Sequence, residues 1–144
     1  MNIVDTNLLM YAHDEVSPFH SRAQPWLETL FSDRHPIGIA LPVVTAFIRI
    51  TTNRRLRGGQ FTMAEALDIV DEWLSLPNVR LLLPTDRHWS ILRRVLIDSQ
   101  SSGPVTTDAQ IAAITIEYGG ILHTNDRDFA RFPGLRWVNP LEPK

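Results

Sequence analysis

Short apolar segments of strand length alternate with longer segments of helical periodicity along this chain. The alternation is typical of repeated strand-helix-strand units, which build an α/β domain around a mostly parallel sheet. Turn-forming residues stand close before most of the predicted strands, which lie near Ile3-Val4, Ile37 to Leu41, Val79 to Leu83, Ile121-Leu122 and Leu135 to Val138. We therefore expect a three-layer α/β/α fold with a central sheet of about five strands.

Polar residues mark the predicted helix starts. Thr62 with Glu65, and Thr107 with Gln110, fit capping boxes, and Thr85-Asp86 offers a further N-cap. After Thr62, apolar residues recur at three- and four-residue steps and predict a buried face made of Ala66, Leu67, Val70, Trp73 and Leu74. The segment after Thr107 is apolar almost all round, which predicts a helix packed between the sheet and other helices.

Length and composition place the chain in a broad class. Its 144 residues suit one domain, 1–144, with a single core, and the absence of cysteine excludes disulfides and thiolate zinc sites. The first predicted strand begins at residue 2, and no apolar run approaches the roughly 18 residues of a membrane span. We expect a soluble cytoplasmic protein.

Four aspartates follow predicted elements at positions that a parallel sheet would bring together. Asp5 ends the first strand, Asp126 and Asp128 follow the fourth, and Asp108 stands in the first turn of the helix that begins near Thr107. Carboxylates gathered at one edge repel each other and raise each other's pKa values unless a cation lies between them. The four residues are therefore predicted to bind Mg²⁺, with Mn²⁺ as the alternative, and to hydrolyse phosphodiesters with metal-activated water.

Three of the four aspartates have a simpler interpretation when each is taken alone. The helix dipole by itself would stabilise Asp108, and Asp126 and Asp128 could cap a solvated turn before Phe129. Asp5 has no evident packing purpose, because it directly follows a strand and precedes an apolar helix. The metal-site hypothesis depends on the four residues as a set.

Three segments in order resemble the PIN-domain ribonucleases. They are Ile3-Val4-Asp5-Thr6-Asn7-Leu8-Leu9, Thr107-Asp108-Ala109-Gln110-Ile111-Ala112-Ala113 and Leu122-His123-Thr124-Asn125-Asp126-Arg127-Asp128-Phe129. Within that family the chain is most similar to the VapC toxins of bacterial type II toxin-antitoxin pairs, including the closing segment from Phe132 to Trp137.

The resemblance implies an endoribonuclease that depends on magnesium or manganese and cuts structured RNA such as tRNA or ribosomal RNA. It also implies a homodimer and a VapB-like antitoxin whose tail enters the site. By position, Asp5, Asp108 and Asp126 match the family's metal carboxylates, and Asp128 matches an additional acid of some members.

One position departs from the family pattern. Ala46 stands where a glutamate would be expected in the helix after the second strand. The loss removes a metal ligand or water-orienting group, for which Asp128 is a candidate replacement. The alternative function is a catalytically impaired module that binds RNA or a partner.

A phosphatase with Asp5 as nucleophile is a third hypothesis. The chain lacks two features that such phosphatases or phosphate-binding proteins show: a second acid two residues after Asp5, and a Gly-Lys-Ser/Thr phosphate loop.

The remaining candidates are basic and aromatic. Thirteen of the fourteen basic residues are arginine, which suits phosphate recognition but also follows from GC-rich coding. The densest group, a candidate surface for RNA or for the antitoxin, is Arg49, Arg54, Arg55 and Arg57. The five histidines lack the spacing of a helical zinc motif.

Aromatic and apolar residues predict packing contacts. Core or subunit contacts are predicted for Trp26, Trp73 and Trp89, and subunit contacts for Leu8, Leu9, Met10, Tyr11 and Phe19.

Overall fold

The chain folds around one five-stranded parallel sheet, in a computed structural model that describes residues 1–56, 59–100 and 102–143. The strands are β1 (Asn2–Val4), β2 (Ile37–Ala40), β3 (Val79–Leu82), β4 (Ile121–His123) and β5 (Trp137–Val138). The helices are α1 (Thr6–His13), α2 (His20–Ser32), α3 (Leu41–Thr51), α4 (Met63–Ser75), α5 (His88–Asp98) and α6 (Thr106–Glu117). Short 3₁₀ turns span Gly103–Val105 and Arg127–Arg131. The helices flank the sheet, which confirms the predicted α/β/α fold.

The strand order places β1 at the centre of the sheet. The order is β3-β2-β1-β4-β5, and all neighbouring strands are parallel, with Val4 of β1 opposite His123 of β4. The chain runs from β1 to β2 and β3 on one side, and then returns to β4 and β5 on the other. Loops diverge where the order reverses in this way, and they leave a crevice outside the carboxyl ends of the two strands.

The core confirms the predicted helix patterns in outline. In α6 both sides are buried, at Ala109, Ile111, Ala112, Ala113 and Ile114, because the helix contacts α3, α5, β2 and β4. In α4 the buried residues are Ala66, Val70 and Trp73, whereas Leu67 is exposed. The indole of Trp73 packs edge-on against Phe47 at a centroid distance of 4.7 Å.

The predicted helix caps are correct at one of three places. The Thr62 capping box forms, with Glu65 N donating to Thr62 Oγ1 at 3.2 Å and Thr62 N to Glu65 Oε1 at 3.0 Å. The Thr107 box is wrong, because the 3₁₀ turn leads directly into α6 at Thr106 and Thr107 is already helical. Thr85 does not cap α5 either, because the helix begins only at His88 with Arg87 at the N-cap position; the Thr85 hydroxyl accepts from the Arg87 amide at 3.2 Å and donates to Glu117.

One predicted interface set is also wrong in part. Leu8 and Leu9 are fully buried within the chain, and Tyr11 stacks on Phe19 at 4.6 Å where α1 packs against α2. Their apolar surface is therefore used in the monomer. Trp89 is not a core residue, because 69% of it is exposed at the start of α5. None of the described helices is long and apolar enough to cross a membrane.

Candidate active site at the carboxyl edge of the sheet

Asp5 lies at the carboxyl end of β1 and is only 5% exposed. Its Oδ1 accepts a hydrogen bond of 2.7 Å from the backbone amide of Thr6, at the start of α1. Its Oδ2 accepts from the hydroxyl of Thr124 at 2.7 Å and from the side-chain amide of Asn7 at 3.2 Å. Three donors thus hold this carboxylate in one orientation.

Thr124 connects the carboxyl ends of β1 and β4. The residue is fully buried, and its hydroxyl oxygen accepts from the Asn7 side-chain amide at 3.2 Å and from the amide of Asp126 at 3.0 Å. Asn7 in turn accepts from the amide of Asn125 at 3.2 Å. Neither Thr124 nor Asn7 is among the site residues that the sequence pattern predicts. The signal in the sequence is a small polar residue two positions from an acid, just after each of two predicted strands.

Asp126 begins the 3₁₀ turn Arg127–Arg131, and its Oδ1 accepts from the amide of Asp128 at 2.9 Å. The simpler interpretation of a capped turn is therefore correct as local structure. The same carboxylate also lies close enough to Asp5 and Asp108 to raise both of their pKa values. Asp126 therefore serves the turn and belongs to the acidic group as well.

The four aspartates form one electrostatic group. Burial, and then the charges of Asp108 and Asp126, raise the pKa of Asp5 to about 6, although the bonds from Thr124 and Thr6 oppose the shift. Asp108 stands in the first turn of α6, where burial and the charges of Asp126 and Asp128 raise its pKa. The charge of Arg131 acts in the opposite direction, so this arginine is a further basic residue near the site.

The donor set suits a hard divalent cation. Carboxylate oxygens are the ligands that magnesium and manganese prefer, and a cation would favour the ionised forms that burial and mutual repulsion now disfavour. Within the described ranges, no three acidic or histidine side chains converge closely enough to enclose an ion as they stand. Asp126 is half-buried and Asp128 is exposed.

The described part of the predicted arginine surface lies on α3 and on the turn that follows it. Arg49 is exposed on α3 and lines a cleft beside Ala46 and Thr107. Arg54 and Arg55 are exposed on the turn after α3, and Arg54 lies near Glu65 at the start of α4. Arg57 lies outside the described residues. Arg49 shares this cleft with Thr107, the residue before Asp108 in α6.

His123 is a structural residue of β4. Its ring packs against Trp26 at a centroid distance of 5.6 Å, and burial lowers its pKa. Neither ring nitrogen has a hydrogen-bond partner in the part of the chain that the structure describes. The neutral ring therefore belongs to the packing between β4 and α2.

Comparison with known proteins identifies the family. The PIN domain family model matches residues 3–135. Ribonuclease VapC33 of Mycobacterium tuberculosis is 40% identical over 141 residues, which cover 98% of this chain and 99% of that protein. VapC ribonuclease Mb2897 of Mycobacterium bovis is 37% identical over 142 residues, covering 99% and 97%.

Solved structures share the fold at lower identity. VapBC2 of Rickettsia felis, bound to a DNA fragment from its promoter, has a TM-score of 0.71 at 18% identity, with 96% of this chain and 97% of that chain covered. VapC20 of Mycobacterium tuberculosis, a sarcin-ricin loop cleaving toxin, has a TM-score of 0.67 at 20% identity, covering 94% and 99%. The match of the family model and the near-complete similarity to the VapC ribonucleases show that this chain belongs to the PIN-domain family.

Proposed function

We propose that this chain is a divalent-metal-dependent endoribonuclease and the toxin of a toxin-antitoxin pair. Its 144 residues would act as one PIN domain in the cytoplasm. The observation that carries the proposal is the buried Asp5, held by Thr124 and coupled in charge to Asp108 and Asp126. The similarity to VapC ribonucleases over nearly the whole chain supports the same activity.

The residues have separate roles in the proposed reaction. Asp5, Asp108 and Asp126 would hold Mg²⁺ or Mn²⁺, with Asp128 as an additional acid. When bound, such an ion would supply an activated water and stabilise the negative charge that develops on the phosphate. Thr124, Asn7 and the Thr6 amide keep Asp5 in place, so its oxygens need not reorient during the reaction. Arg131 limits the accumulated negative charge beside Asp108.

The substrate class that we propose is structured RNA, either tRNA or ribosomal RNA. A structural relative, VapC20, cleaves the sarcin-ricin loop, which supports a folded RNA target. The proposed partner is a VapB-like antitoxin that covers the site, because relatives such as VapBC2 of Rickettsia felis occur in toxin-antitoxin complexes.

Homodimer formation remains a prediction. In the described chain, Trp89 and Leu83, 69% and 50% exposed, are apolar residues free to contribute to it.

Cleavage of total tRNA and ribosomal RNA tests the nuclease activity. Purified protein should produce discrete fragments with magnesium or manganese and none with EDTA. Asp5→Asn should abolish cutting without loss of the fold. Asp14→Asn is the matched control, because Asp14 lies at the other end of α1, where its side chain accepts from the Val16 amide.

The alternative, an impaired binding module, depends on Ala46, which is buried and leaves α3 without a carboxylate at that position. It predicts RNA or antitoxin binding without turnover. Metal-dependent fragments that disappear in Asp5→Asn and persist in Asp14→Asn would exclude it. Intact RNA under every metal condition, together with retained binding, would exclude the nuclease.

A further inference from the structure

A cleft of about 210 Å³ opens between α3 and the first turns of α6. It shares the first turn of α6 with the acidic group, because Thr107 lines the cleft and directly precedes Asp108. Ala46, with only a methyl side chain, leaves this space open. No acidic side chain lines the cleft, whose lining residues are Pro42, Thr45, Ala46, Arg49, Thr107 and Gln110.

Three hydrogen-bond donors in the cleft have no partner within the described chain. They are the guanidinium of Arg49, the side-chain amide of Gln110 and the hydroxyl of Thr107. The hydroxyl of Thr45, in contrast, donates to backbone carbonyls one turn back in α3. Some other arginines of the chain are used internally, for example Arg127, which pairs with Glu142 at 2.6 Å. The free donors of the cleft therefore remain available to a ligand.

The backbone of α6 adds to the same preference for an anion. The helix spans twelve residues, and no side chain caps its first turn. The backbone amide of Thr106 is already bonded to the carbonyl of Gly103, so the contribution of the helix is the positive end of its dipole near Thr107 and Asp108. Arg49 supplies a cation, Thr107 and Gln110 supply hydroxyl and amide donors, and the start of α6 adds the positive end of its dipole. Together these groups suit a phosphate better than a neutral ligand.

We propose that this cleft binds a backbone phosphate of the RNA next to the bond that is cut. The inference rests on the proposed ribonuclease function, because a strand whose scissile phosphate lies at the aspartates must place neighbouring phosphates on either side. Arg49 is the charged contact, and Thr107 and Gln110 donate to the phosphate oxygens. Such contacts set the position of the strand without reading its sequence.

The charge contact is tested by RNA binding in an Asp5→Asn background with magnesium, where cleavage does not interfere. Arg49→Gln should weaken filter binding of total tRNA by about tenfold and reduce the salt slope of log Kd by about one. Arg34→Gln is the matched control, since Arg34 is exposed before β2, at the opposite edge of the sheet. Equal binding by the two variants would overturn the proposal, and so would an Arg49→Gln effect confined to the antitoxin.

The space is tested by substituting Ala46 with residues of equal size and different charge. Ala46→Glu should lower kcat/KM at least tenfold below Ala46→Gln, on the order of one lost phosphate contact, because a carboxylate in the cleft repels phosphate. Higher activity or tighter magnesium binding in Ala46→Glu would instead assign the cleft to the metal.

The ribonuclease proposal and the phosphate-cleft proposal fail on different results. The ribonuclease proposal fails if wild-type protein leaves RNA intact. The phosphate-cleft proposal fails if Arg49→Gln and Arg34→Gln bind RNA equally, whether or not RNA is cut.

Discussion

The hydroxyl of Thr124 donates a 2.7 Å hydrogen bond to Oδ2 of Asp5, although 119 residues of sequence separate the two. One residue ends β1, and the other follows β4 directly. Their contact joins the two strands at the point where the sheet order reverses. It also fixes the most deeply buried carboxylate of the candidate site.

Loss of the Thr124 hydroxyl should therefore affect stability and activity together. Thr124→Val keeps the side-chain shape but leaves Asp5, Asn7 and the Asp126 amide each without one partner. We expect a loss of about 1–3 kcal/mol in unfolding free energy and about 10- to 100-fold in cleavage. Urea denaturation and RNA digestion measure the two effects. Thr124→Ser restores the hydroxyl and should recover most of both, and failure of that rescue would contradict the role assigned to it.

The raised pKa of Asp5 predicts how stability depends on pH without metal. Its pKa rises from 3.8 in the unfolded chain to about 6 in the folded one, so the folded state binds more protons between these values. The stabilisation is fully present below the unfolded pKa and is lost as pH rises through the folded pKa.

The size of this effect is on the order of 3 kcal/mol, and the raised pKa of Asp108 acts in the same direction. Urea denaturation in EDTA at about pH 4 and about pH 7 measures it, as the difference between wild type and Asp5→Asn. Wild type should lose more stability than the variant on going to the higher pH. Parallel behaviour of the two proteins would show that Asp5 is not perturbed.

Divalent metal should stabilise the folded protein. A ligand that binds only the native state at about 100 times its Kd adds about 2.7 kcal/mol, which corresponds to a rise of several degrees in Tm. We expect this rise with magnesium or manganese in wild type and in Asp14→Asn. It should be much smaller in Asp5→Asn and Asp108→Asn, and thermal unfolding with and without EDTA is the measurement. A similar rise in all four proteins would place the metal elsewhere.

Glu117 offers a contrast, because it is a buried acid that serves structure. Its side chain is fully buried, accepts from the Thr85 amide and hydroxyl at 2.9 and 2.7 Å, and contacts His88 Nδ1 at 2.6 Å. Glu117→Ala should cost about 3 kcal/mol, since it leaves these groups unpaired. The rise in Tm with magnesium should persist in this variant. Loss of the magnesium effect in folded protein would show that the two regions are coupled.

The fold was predictable because hydrophobic periodicity reports which side of each element is buried. The runs at Ile3-Val4 and Ile37 to Leu41 predicted β1 and β2 within a residue or two, and the all-round apolar pattern of α6 predicted its central position. Local signals were less reliable at helix starts, where the path of the backbone decides which hydroxyl reaches the first turn. Thr85 fits an N-cap by sequence, but α5 begins only at His88, so the Thr85 hydroxyl accepts from the Arg87 amide ahead of the helix and donates to Glu117.

The candidate site divides in the same way. The sequence by itself determined the parallel α/β architecture and the four aspartates at the ends of elements, because burial patterns and residue chemistry are local. Only the tertiary structure decided that Thr124 orients Asp5, that Arg131 lies near Asp108 and that Ala46 opens a cleft beside Arg49. These relationships depend on distances between segments far apart in the chain, and those distances are set by the strand order and helix packing rather than by any local pattern of residues.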